Sequence, residues 1–123
     1  MALTRKYRET VLERIKHDPE FTAALYAEAI SSLVEGDRET ALSVLRDLVH
    51  AHISFKTLAK HTGFDEKALH RMLGRNGNPT LESLTKVIHA IEEDLQLSTH
   101  VEAHWSKPKR RTAHQRDVDL AYT

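Results

Sequence analysis

Apolar residues along this chain recur at spacings of three and four and not at every second position, so the pattern predicts helices throughout and no strand. Tyr7, Val11 and Ile15 mark one face of a first helix. It should end before Asp18-Pro19, where Asp caps and Pro takes the first position of the next helix. That second helix carries Phe21, Leu25, Tyr26, Ile30, Leu33 and Val34 and stops at Gly36, the residue best suited to a left-handed helix terminus. Asp37 restarts the chain, with Thr40 at the third helical position. The third helix is predicted from Arg38 to Ala51, with Leu42, Leu45, Leu48 and Val49 pointing inward, and Ile53-Ser54 breaks it.

Shorter pieces follow. Ser54 can cap a helix containing Phe55, Leu58 and Ala59 that Thr62-Gly63 ends. About three residues later, Asp65 can cap another with Ala68, Leu69, Met72 and Leu73 inward. The stretch from Gly74 to Pro79 is dense in turn formers. Thr80 then caps a longer helix with Leu84, Val87, Ile88, Ile91 and Leu95 at helical spacing. A last turn or helix is expected over Leu97 to Trp105, and residues 106–123, with little apolar content, are expected to form a mobile basic tail.

At 123 residues the chain should form one domain with its own core. Its 18 basic and 18 acidic side chains cancel, but their distribution is uneven. Residues 1–40 carry a net charge of −2, residues 41–80 +3, residues 81–105 −4 and the tail +3. The absence of cysteine excludes disulfides, thiolate zinc sites and thiol nucleophiles. No apolar run is long enough for a membrane span, and the charged opening MALTRKYRETVLERIK does not resemble a secretory signal. A cytoplasmic protein with no membrane partner is the expectation.

The basic middle coincides with a pattern in which each position has a mechanical reason. Ala59 is small where two helices cross, Gly63 frees the backbone for a tight turn, and Leu58, Leu69 and Met72 anchor both helices. The second helix then turns Glu66, Lys67, His70 and Arg71 outward, as a helix reading base edges in the major groove does. Ser54, Phe55 and Lys56, at the start of the first, would lie against a phosphate near its amide groups. Arg75, Asn76 and Asn78 on the following loop would touch phosphates across the groove.

These residues resemble the Cro and lambda-repressor type of helix-turn-helix protein, and more narrowly the HigA-like antidote proteins of bacterial toxin-antitoxin modules. The stretches concerned are Asp18-Pro19-Glu20-Phe21, Ala41-Leu42, Leu58-Ala59-Lys60-His61-Thr62-Gly63, Ala68-Leu69-His70-Arg71-Met72-Leu73 and Gly77-Asn78-Pro79, within residues 18–97. The resemblance implies a homodimeric repressor on a palindromic double-stranded operator, which also neutralises a small ribonuclease toxin. Glu66-Lys67 stands where the group often has a basic then an acidic residue, and His70 replaces a frequent Tyr, so no operator sequence carries over. The expected fold is all-α. It comprises N-terminal helices over residues 1–37, a five-helix lambda-repressor-like core over 38–105 and the tail. The alternative reading is a protein-interaction module that neutralises a partner with little DNA binding.

Other chemistries find little support. His100 and His104 would share a helical face if that stretch were helical, but the zincin pattern needs Glu directly after the first His, and Val101 stands there. No metal or cofactor is expected, and no nucleophile-base spacing suggests an enzyme. Glu92-Glu93-Asp94 reads as a solvated face, and Trp105 as a lid over a core edge or a dimer contact.

Overall fold

The computed structural model describes residues 5–108, which are all-helical: α1 Arg5–His17, α2 Pro19–Glu35, α3 Arg38–Leu48, a π-helix Val49–Ile53, α4 Phe55–Thr62, α5 Glu66–Met72 and α6 Leu81–Leu95. No strand occurs among the described residues, and no helix there is long and apolar enough to cross a membrane.

The punctuation residues act as their chemistry dictates. The Asp18 carboxylate accepts from the Phe21 amide at 3.1 Å while Pro19 opens α2. That amide hydrogen bond, with help from Arg14, holds the Asp18 carboxyl below its ordinary 3.8. Asp37 caps α3 by accepting from the Thr40 amide, and its carboxyl is lowered mainly by its hydrogen bonds to Thr40. Gly36, at φ +87°, closes α2 in the left-handed conformation that a β-carbon would penalise. Thr22, buried, donates its hydroxyl to the Ile15 carbonyl at 2.9 Å and fixes the corner between α1 and α2.

One core runs through the molecule. Ile15 of α1, Tyr26 and Ala29 of α2, Leu42, Leu45 and Leu48 of α3, Val49, Phe55 and Leu58 of α4, Leu69 of α5, Leu73, and Val87, Ala90 and Ile91 of α6 form a single buried cluster. Each fully buried Leu or Ile contributes roughly 1.5–3 kcal/mol of transfer free energy. Within this arrangement α2 lies along α3, and α1 packs on α2, α3 and the π-helix. The π-helix also meets α4 and α6. Arg8 adds an ion pair from α1 to Asp47 of α3 at 3.0 Å.

Several expectations change. The third helix does not run to Ala51: it ends at Leu48, and the chain widens into a π-turn closed by the Ser54 amide on the Val49 carbonyl at 2.7 Å. No helix forms over Leu97 to Trp105, because Gln96 turns left-handed (φ +55°) and stops α6. The fifth helical element between Arg38 and Trp105, beside four α-helices, is therefore the π-helix Val49–Ile53 and not a segment over Leu97 to Trp105. Trp105, 86% exposed, covers no core edge. Tyr7 and Val34 also lie on the surface, each near an end of its helix. Of the tail, residues 109–123 lie outside the described residues.

Candidate nucleic-acid interface

The site is built on two short helices and the loop after them. At its head, Ser54 sits at φ +90°, ψ 147°, a region that residues with a β-carbon rarely adopt, and its hydroxyl accepts from the Thr57 amide at 3.1 Å. Helix α4 ends at Gly63 (φ +79°), whose amide donates to the Ala59 carbonyl. Thr62 returns its hydroxyl to the Leu58 carbonyl at 2.8 Å and accepts from the Phe64 amide. The first two amides of the three-residue turn are thus both satisfied by α4. Asp65 occupies the capping position of α5 in extended geometry, but its carboxylate makes no capping hydrogen bond.

Leu69 and Leu73 are fully buried and Met72 packs against the core, so the opposite face of α5 is left outside. Glu66, Lys67, His70 and Arg71 are all exposed there. Behind this face Arg46 reaches from α3 and donates to the Leu73 carbonyl at 2.9 Å, closing the C-terminus of α5 with a charged donor. The loop then folds back: the Gly77 amide donates to the Gly74 carbonyl at 2.9 Å, and Gly77 is buried so tightly that a β-carbon would lie 2.1 Å from the Met72 carbonyl oxygen. Arg75, Asn76 and Asn78 project from the loop, exposed.

Among the described residues the exposed Lys and Arg side chains without a carboxylate partner concentrate here, the others being Lys6, Arg38 and Lys107. Arg5, Arg8, Arg14, Lys16 and Lys86 each lie against a carboxylate. Lys56, Lys60, Lys67, Arg71 and Arg75 are exposed and have no ion-pair partner among the described residues. Lys56 and Lys60 are four apart on α4, and Lys67 and Arg71 four apart on α5, so each helix carries two like charges one turn apart. Such pairs cost a helix about 0.2–0.5 kcal/mol each. Glu66 lies 3.9 Å from His70 on the same helix.

The candidate residues do not all share one role. Lys56, Glu66, Lys67, His70, Arg71, Arg75, Asn76 and Asn78 lie on the surface. Ser54 is exposed, but its hydroxyl is occupied by Thr57. Phe55 requires correction as a contact residue: at 7% exposure its ring belongs to the core, since the first turn of α4 points it inward. It reaches the surface only through His70, whose ring stacks on it at 3.9 Å between centroids and 18° between planes. Two contributors escaped the sequence reading. Lys60 is signalled by its spacing of four from Lys56. Arg46 is not, because no local pattern shows a contact 27 residues away.

Among the described residues, no three His, Asp or Glu side chains converge as metal ligands. His104 lies in a non-helical stretch, with Glu102 3.7 Å away. The chain matches no family model, and comparison with curated proteins and with solved structures returns no match.

Proposed function

We propose that this chain is a sequence-specific DNA-binding regulator whose α4 and α5 form a helix-turn-helix of the lambda-repressor type. Helix α5 enters the major groove, and α4 with the loop at residues 74–79 lies on the phosphates. The observation that carries this reading is the pair of like-charged ladders, Lys56 with Lys60 and Lys67 with Arg71, on adjoining helices and without carboxylate partners among the described residues. In the free protein they repel. Against DNA they replace condensed counterions, whose release drives binding. A seven-residue helix spans only a few base pairs. A repressor of this kind therefore acts as a homodimer, with two copies of α5 about 34 Å apart on a palindromic site.

The test is binding by fluorescence anisotropy to duplexes selected from a random library. With Lys56, Lys60 and Arg75 of each protomer on phosphates, log K should fall against log salt with a slope of about −5. Lys67→Ala or Arg71→Ala should cost about 1–3 kcal/mol and relax base preference, whereas Lys56→Ala, which removes one phosphate contact from each protomer, should weaken all sequences alike and flatten the slope by about 2. Variants that bind like the wild-type chain would reject the assignment. The antidote role rests on the resemblance at the motifs quoted above, and co-purification with a small ribonuclease is its test.

A further inference from the structure

The exposed face of α5 contains one side chain whose orientation is fixed from beneath. His70 flanks Lys67 and Arg71 on that face, on the side of Glu66, and one side of its ring rests flat on Phe55, with centroids 3.9 Å apart and planes 18° from parallel. Phe55 cannot move aside to follow it, because the ring is 7% exposed and belongs to the same buried cluster as Leu58, Leu69 and Leu73. Its backbone is held as well, since it is the first residue of α4, directly after the strained Ser54 whose side chain caps that helix. Lys67, Arg71 and Arg75 have no such support: they are long, solvated and unpartnered among the described residues. Glu66 lies one turn away, 3.9 Å from His70 Nε2, beyond hydrogen-bond reach, so it does not hold the ring.

A side chain held in one orientation before binding loses less freedom on contact and tolerates fewer geometries, and both properties favour discrimination over general affinity. Given DNA binding through α5, we infer that His70 is the specificity-determining residue of this face and that Phe55 is its positioning residue. The imidazole N–H donates to a purine N7 in the major groove, a position that no pyrimidine acceptor occupies, since the O4 of thymine lies elsewhere on that edge. Lys67 and Arg71, on the same face, add contacts that adapt to the site. Phe55 thereby influences DNA recognition without touching DNA.

The experiment uses the full chain and a random duplex library, comparing wild type with His70→Ala, Phe55→Leu, Phe55→Tyr and the double variant Phe55→Leu/His70→Ala. His70→Ala and Phe55→Leu should each lose about tenfold in discrimination at the same single base position. Affinity for non-specific duplex and its salt slope should stay unchanged. The double variant should lose no more than His70→Ala, and Phe55→Tyr, which keeps the aromatic face, should discriminate like wild type. In the wild-type chain the His70 ring protons should also resonate upfield of free histidine because of the stacked ring beneath them, a readout that does not depend on whether Phe55→Leu folds. Unshifted ring protons, or a folded Phe55→Leu that keeps full discrimination while His70→Ala loses it, would overturn the role of Phe55. Full discrimination by His70→Ala would overturn that of His70. Failure of the wild-type chain to select any sequence would remove the DNA-binding reading itself, and this inference with it.

Discussion

Substituting alanine for Gly77 tests whether the loop after α5 is shaped by contact or merely permitted by flexibility. A β-carbon there would lie 2.1 Å from the Met72 carbonyl oxygen and 2.9 Å from that of Arg71. Both atoms are backbone in the last turn of α5, so no side-chain rotation relieves the collision; either the loop lifts or the end of the helix unwinds. Gly77 has no positive φ, so the cost is steric and not conformational. Overpacking against fixed backbone costs about 3 kcal/mol, which for a chain of this size lowers the melting temperature by about 10–15 °C. Gly63→Ala supplies the contrast: no atom lies within 4 Å of its β-carbon, and the φ of +79° is the sole objection. That variant should lose about 1–2 kcal/mol. Gly63→Asn should recover part of the loss, since Asn tolerates left-handed geometry, whereas Gly77→Asn should recover nothing. Thermal unfolding followed by far-ultraviolet circular dichroism measures all four. A Gly77→Ala chain melting within about 3 °C of wild type, less than 1 kcal/mol in a domain this size, would refute the steric reasoning.

Two further outcomes follow from the caps. Ser54→Ala keeps the unfavourable φ of +90° and loses the bond to the Thr57 amide, whereas Ser54→Gly relieves the backbone and forfeits only the cap. The glycine variant should therefore be more stable than the alanine variant by about 1–2 kcal/mol in urea denaturation, and equal stabilities would contradict the strain. Asp18 has a carboxyl held below 3.8 in the folded chain, chiefly by the Phe21 amide, so its stabilisation is complete above that pH and disappears as the pH falls through the lower folded value. The gap in melting temperature between wild type and Asp18→Ala should be constant from neutral pH down to about 5 and then close on further acidification; a gap unaffected by acid would show that the carboxylate charge plays no part.

The helices and their ends were legible because local chemistry decides them. Asp18-Pro19, Gly36, Asp37, Gly63 and Thr80 each occupy the terminus that their side chains or backbone freedom favour. The inward residues of α3, α5 and α6 could be read off spacing alone. Phe55 was misplaced because position next to a basic residue says nothing about which way the first turn of a helix points. The π-turn was illegible for another reason: Val49 to Ile53 has helical composition, and the difference between a four-residue and a five-residue hydrogen-bond ring comes from the tertiary fit of Val49, which is fully buried. The helix expected over Leu97 to Trp105 failed because Gln96 turns the chain away, so that Leu97 still packs against the core but Val101 and Trp105 are left exposed. At the interface, the exposed residues of α5 followed from its buried ones, but the Arg46 cap and the Phe55 support did not, since both come from elsewhere in the chain.

The widened turn at Val49 to Ile53 touches α1, α3, α4 and α6 at once. Most connections between helices absorb a gained or lost residue by bulging into solvent, but this one has packed neighbours on all those sides. Deleting a single residue there would rotate everything downstream by about 100°, swinging the outward surface of α5 out of alignment with the helices before it. The segment is thus the place where chain length is least negotiable, although none of its side chains is a candidate for contact with DNA.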